Sequence, residues 1–176
     1  MTTSPKFRKC LEQTLVFEGG KDDDPRDPGG RTAFGIIQTE YTKWRKKNGL
    51  SNRDVWKITV DEKETIYYEN YWEPLRCEEL PVGTDFVMFD YGVNSGLGRA
   101  IKHAQAVLDL SVDGKYGPKT FEALKNADPV KFINDLDNKR LSFLQNLSTW
   151  SVFGKGWKNR VSIGRAFAIQ LAKGLK

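Results

Sequence analysis

Glu18 is the residue whose type and position most clearly carry chemistry. It shares one stripe with Phe7, Leu11 and Leu15, so it projects toward the core side of a helix that Gly19-Gly20 stops. Apolar neighbours and the negative end of the helix both favour the protonated form of such a carboxyl. An acid kept protonated near neutral pH is what a leaving glycosidic oxygen needs. A helix-ending glutamate that simply reaches solvent is the plainer reading, and the residues beyond it must decide. Other chemistries have little to draw on. One histidine, His103, leaves a His-based triad a single candidate base, and with Cys10 and Cys77 it completes no ordinary zinc site. The two cysteines are either buried thiols or a pair formed after export. The acidic run Asp22-Asp23-Asp24 lacks the alternating ligands of a calcium loop and reads as a solvated turn, so no metal and no cofactor are expected.

The elements that must position Glu18 read as helices. Ser4 and Pro5 make a good N-cap and first-turn pair for the helix ending at Glu18. Thr39 is expected to cap a second helix running through Lys46-Lys47. Thr59-Val60-Asp61-Glu62 reads as a capping box opening a third, to about Trp72. Phe86 to Val93 and Arg99 to Leu108 read as two more, parted at Asn94-Ser95-Gly96. Pro118 and Pro129 occupy first-turn positions, the latter behind Asp128, and a last helix is expected from about Gly156 to Lys173. Only Gly29 to Ile37 looks like β structure, a short hairpin after paired glycines.

After Glu18 the chain reads Gly19-Gly20, then Asp27-Pro28-Gly29-Gly30-Arg31-Thr32-Ala33-Phe34-Gly35-Ile36. This segment resembles glycoside hydrolase family 108, bacterial and phage N-acetylmuramidases marked by Glu-Gly-Gly, Asp-Pro and Gly-Gly-x-Thr-x-x-Gly-Ile. It is also similar in outline to phage lysozymes, in which Glu, Asp and Thr form the catalytic set. Here Glu18 and Asp27 keep the eight-residue gap of that pattern, while Thr32 follows after four residues rather than five. Lys21 is a second departure, at a position where the family often has an aromatic residue. The resemblance implies Glu18 as general acid, Asp27 as base and Thr32 as the residue that orients a water. Gly35 would let the backbone approach a sugar closely.

The resemblance continues through Tyr71-Trp72-Glu73-Pro74-Leu75-Arg76-Cys77, Phe89-Asp90-Tyr91-Gly92-Val93-Asn94-Ser95-Gly96 and Asp113-Gly114-Lys115-Tyr116-Gly117-Pro118, to Trp150 and Phe153 to Val161. Tyr91 and Asn94 are candidate sugar contacts, with a core tyrosine and a helix cap as the equal alternative. Asp90 is either an alternative second carboxylate or a buried structural acid. Tyr116 is a candidate glycan contact on a turn whose local role already accounts for it. Trp157, Lys158 and Arg160 are either an aromatic and basic surface for an anionic wall polymer or anchors of the last helix.

The chain has 176 residues, 28 Lys+Arg against 23 Asp+Glu, with 39% hydrophobic and 12% aromatic residues; this supports a packed core and excludes intrinsic disorder. No apolar run approaches the roughly 18 residues of a membrane span, and no secretory signal is visible. From Lys139 to Lys176 there are eight basic and no acidic residues, so this segment either attracts an anionic partner or solubilises a helix face.

The expectation is a mainly α (α+β) protein, a lysozyme-like helical bundle with a small N-terminal β-hairpin. Residues 1–95 would form the catalytic part and 96–176 a C-terminal helical part of predicted peptidoglycan-binding type. The resemblance implies hydrolysis of the bond between N-acetylmuramic acid and N-acetylglucosamine in peptidoglycan. The partner would be the glycan strand, with no nucleic acid and no integral membrane segment, acting as a monomer. As an endolysin it would reach the wall by holin, secretion system or lysis. A lytic transglycosylase and a non-catalytic wall-binding or secretion-associated protein are the alternatives. Nucleic-acid binding ranks last, because no recognition motif accompanies the charge.

Overall fold

A computed structural model describes residues 3–22 and 31–175. Asp27, Asp23 and Asp24 lie outside the described residues, as do Gly29 and Gly30, which open the expected hairpin. The fold is mainly α, with eight α-helices and one small antiparallel sheet among the described residues, and it divides into two compact units, 1–70 and 71–176.

In the first unit, helix α1 (Pro5–Glu18) starts as expected, with the Ser4 hydroxyl accepting from the Phe7 N–H at 3.1 Å. Phe7, Cys10, Leu11 and Thr14 are its buried side, and Phe7 meets Tyr68 edge to face at 5.3 Å. The chain then forms three two-residue strands, β1 (Lys21–Asp22), β2 (Thr32–Ala33) and β3 (Ile36–Ile37), antiparallel in that order. The expected hairpin is β2–β3; β1 was not expected. Ala33 and Ile36 pair across the hairpin and are both buried, which fixes its register.

Helix α2 (Gln38–Lys47) begins before Thr39, so Thr39 lies inside it and caps nothing. Gln38 ties its start to the next loop: its amide donates to Arg53 O at 3.0 Å, and its carbonyl accepts from Val55 N at 2.7 Å. Helix α3 (Val60–Tyr67) opens with the expected Thr59/Glu62 capping box. Glu62 does more than cap, since it also accepts from Arg45, from Arg53 at 3.1 Å and from Tyr41 at 2.7 Å. Burial works to raise the Glu62 carboxyl pKa, but the Thr59 and Tyr41 hydrogen bonds and the Arg53 charge outweigh it and hold it low. The α-helix stops at Tyr67, and Tyr68–Trp72 forms a π-helical turn, so the expected single helix to Trp72 is two elements.

The second unit is built around α4 (Thr84–Ser95), buried at every position from Thr84 to Gly92. Packed on it are α5 (Leu97–Val107), α7 (Pro129–Gln145) and α8 (Trp150–Ala172), with α6 (Pro118–Asn126) between α5 and α7 in the chain. Asp128 caps α7 by accepting from Lys131 N at 2.7 Å, as its place before Pro129 predicts. Trp72 and Phe89 meet edge to face at 5.4 Å, and Phe86 and Phe167 at 4.8 Å.

A buried ionic cluster fixes α7 and α8 on α4. Asp90, 1% exposed, takes Arg140 Nη1 at 2.8 Å and Arg160 Nη2 at 2.8 Å. Burial pushes the Asp90 pKa upward, and the two guanidinium groups overcome this and hold it below its usual range. Nearby Asp137 is equally buried but less well paired, with Arg165 Nε at 3.8 Å and Arg140 Nη1 at 4.0 Å. Burial pushes its pKa up to about 7. Arg140 and Arg160 are therefore structural, which removes two of the eight charges from the expected basic surface. Arg160 does not stand on the surface with Lys158.

Candidate active site

The hairpin turn and the end of α1 meet around Gly35. Phe34 and Gly35 both have positive φ, 52° and 75°, between the paired residues Ala33 and Ile36. This is the two-residue type I′ geometry whose twist suits adjoining strands. Glycine adopts it freely, whereas a phenylalanine does so only when held. Phe34 is held three ways. Its N–H donates to Gly20 O at 3.0 Å, its carbonyl accepts from the Tyr67 hydroxyl at 2.6 Å, and the Lys63 ammonium lies 4.9 Å from its ring centroid.

Glu18 lies against this turn. A β-carbon at Gly35 would fall 2.8 Å from Glu18 Oε2, 2.8 Å from the Tyr67 hydroxyl and 3.3 Å from Glu18 Cβ. Only a residue without a side chain leaves room for the carboxylate and the phenol over the same backbone. Glu18 is half-buried, as its place on the α1 stripe predicts, and does not extend into bulk solvent. A carboxyl in this position, with a backbone turn beneath it and a phenol beside it, is suited to proton transfer to a bound group.

Thr32 is on β2, three residues before Gly35, half-buried and paired with Asp22 and Ile37. Its strand is secured from behind, since Trp56 Nε1 donates to Thr32 O at 3.2 Å and Arg31 lies over the Trp56 ring at 4.5 Å while pairing with Asp54 at 2.6 Å. The Trp56 backbone N–H, donating at 2.9 Å, and the Arg31 hydrogen bond and charge hold the Asp54 carboxyl below its usual pKa.

The structure brings Glu18 and Gly35 together and adds Tyr67, which sequence reasoning passed over. Tyr67 reads as one more aromatic on the buried side of α3, and no local spacing links it to a turn more than thirty residues earlier. A phenol at the end of a helix, opposite a glycine that follows a bulky residue, is the only trace it leaves in sequence.

The remaining candidates belong to the second unit and have structural partners. Tyr91 is fully buried, its hydroxyl 2.7 Å from His103 Nδ1 and its ring 4.8 Å from the Arg140 guanidinium. Burial raises its phenol pKa, and the ring presents no face to a sugar. Tyr116 is half-buried, and its hydroxyl donates to Leu75 O at 2.7 Å. The Asn94 carbonyl oxygen accepts from Arg140 Nη2 at 2.9 Å. Asp90, the alternative second carboxylate, is committed to its two arginines. Cys10 and Cys77 are both buried thiols.

Residues 11–96 match the family model described as Glycosyl hydrolase 108. The solved structure of SagA from Brucella abortus is similar at 36% identity and a TM-score of 0.80, over 94% of this chain and 95% of that one. No curated protein sequence matches. The likeness gives the expected lysozyme-like helical architecture its counterpart among solved structures.

Proposed function

The chain belongs to glycosyl hydrolase family 108, and from that premise we propose that it is a peptidoglycan hydrolase of the N-acetylmuramidase type. In this reading Glu18 donates its proton to the oxygen between N-acetylmuramic acid and N-acetylglucosamine as the C–O bond breaks. Asp27 takes a proton from the water that adds to the anomeric carbon, and Thr32 orients that water. Proton transfer of this kind contributes about a hundred- to ten-thousandfold in rate. Gly35 keeps a side chain out of the space the acid needs. Tyr67 is a positioning residue that holds the Phe34 carbonyl and so the turn. The observation that carries the reading is the Glu18 carboxylate lying over Gly35 beside the Tyr67 hydroxyl.

Residues 1–95 would supply the catalysis and 96–176 the contact with the wall, with the glycan strand as the partner of a monomer. The site of action is the cell wall, reached as an endolysin by holin, secretion system or lysis. No helix among the described residues is long and apolar enough to cross a membrane. Digestion of purified sacculi followed by mass analysis of the fragments tests the reaction. Hydrolysis gives reducing ends; fragments lighter by one water would make the enzyme a lytic transglycosylase; retention on sacculi without fragments would make it a binding protein.

A further inference from the structure

The second unit holds a polar pocket of about 240 Å³ at the end of α4, walled by Asn94, Ser95, Arg99, Phe143 and Trp157. Leu144 and Leu147 supply its apolar floor. Three of its lining side chains, Asn94, Arg99 and Trp157, present donors, while the Ser95 hydroxyl donates to Asn94. Arg99 is exposed, with its guanidinium carbon 3.8 Å from the Phe143 ring centroid, and its N–H groups meet no acceptor among the described residues. This close seat over the ring limits the freedom of the guanidinium. The Asn94 carbonyl oxygen is taken by Arg140 at 2.9 Å and by the Ser95 hydroxyl at 3.2 Å, which leaves the amide NH₂ as the open side. The Trp157 indole N–H donates to nothing among the described residues, while its ring packs on Phe153 at 5.6 Å.

No acidic side chain lines the pocket among the described residues, and Asp90, one turn earlier on α4, is neutralised by two arginines. His103 packs on the wall residue Phe143 at 5.8 Å, and its pKa is lowered by burial first and then by the Lys139 and Arg99 charges. A pocket of donors, one stacked guanidinium and aliphatic and aromatic walls matches an organic carboxylate on a short aliphatic body. A phosphate dianion would find one cation and a greasy floor, a poor exchange for its hydration.

We propose that this pocket is a carboxylate-binding subsite whose ligand is the acidic peptide stem carried by the wall glycan. The class of ligand follows from the donor set; its identification with the peptide stem rests on the muramidase reading above. Arg99 is then a specificity residue. It would favour strands whose stem carboxyls are ionised over strands in which they are amidated.

Calorimetric titration of the full chain with N-acetylmuramyl-L-alanyl-D-glutamic acid and with the same compound amidated at both carboxyls tests this. The acid is expected to bind, and amidation or Arg99→Gln to weaken binding by about ten- to a hundredfold. Arg99→Lys, which keeps the charge and loses the fork, is expected to fall between. Equal binding of acid and diamide, no binding of the acid, or an unaffected and folded Arg99→Gln variant would overturn the proposal. So would inorganic phosphate displacing the dipeptide at equal concentration, which would mark a general anion site. Should Arg99→Gln lose its fold, the comparison of acid with diamide on the unaltered chain decides. The fragment contains no glycosidic bond. Failure of this binding therefore leaves the muramidase reading standing, and a chain inactive on sacculi that binds the dipeptide through Arg99 fails that reading alone.

Discussion

Replacing Gly35 with alanine puts a methyl group where the structure has a carboxylate. The added carbon would lie 2.8 Å from both Glu18 Oε2 and the Tyr67 hydroxyl, against ordinary contacts of about 3.5–4.0 Å. Both tips must retreat by roughly 0.7–1.2 Å, while Glu18 Cβ at 3.3 Å limits how far the glutamate can pivot. Alanine at φ 75° adds about 1–2 kcal/mol of left-handed backbone cost. For a chain of this length that corresponds to a fall in Tm of about 2–8 °C. Displacing an acid by about 1 Å costs about a hundredfold in rate. Initial rates of turbidity loss on purified sacculi, beside melting curves of the same samples, measure both effects. Gly35→Ala is expected to lose about a hundredfold in rate at temperatures where it is fully folded. A variant that melts lower yet clears sacculi at the native rate would refute the placing of the reacting acid over this glycine.

Three other substitutions test the supports. Tyr67→Phe removes the donor to Phe34 O, so it is expected to cost about 1–2 kcal/mol in urea unfolding and to lower turnover by no more than about a hundredfold, with substrate retention on sacculi unchanged. Asp90→Ala strands Arg140 and Arg160 in the core and is expected to cost about 3–5 kcal/mol, read from the shift in urea midpoint. Asp137 sets a pH dependence. Its folded pKa of about 7 lies above its ordinary 3.8, so the native state binds the proton more tightly. The resulting stability is complete below about pH 4 and is lost as pH rises to about 7, about 4 kcal/mol in all. Urea titrations from pH 4 to 8 should show this decline in the native chain and a flatter profile in Asp137→Asn; equal slopes would contradict the assignment.

What could be read in the sequence was what local chemistry dictates. Ser4, the Thr59/Glu62 box and the Asp128-Pro129 pair each announce a helix start within three residues, and each does so in the structure. Glu18 was legible because four residues on one helical face place it. Errors arose where tertiary packing overrides a local sign. Helix α8 begins at Trp150 rather than near Gly156, because Gly154 is no breaker here. It is the floor under the Trp150 ring, where a β-carbon would come within 2.5–2.9 Å. β1 was missed because two charged residues carry no alternation. The basic C-terminal segment misled in a different way. Arg140 and Arg160 answer an aspartate 50 and 70 residues away, a pairing that no window of sequence contains. Tyr91 read equally well as core or as sugar contact until its burial was known.

The most direct measurement is the rate at which Glu18→Gln releases fragments from purified sacculi, taken beside its far-ultraviolet circular dichroism and Tm. Glutamine keeps the shape of the side chain above Gly35 and cannot give up a carboxyl proton. The account predicts a folded protein whose fragment release drops by at least about a hundredfold. A folded Glu18→Gln chain that clears sacculi at the native rate would contradict it.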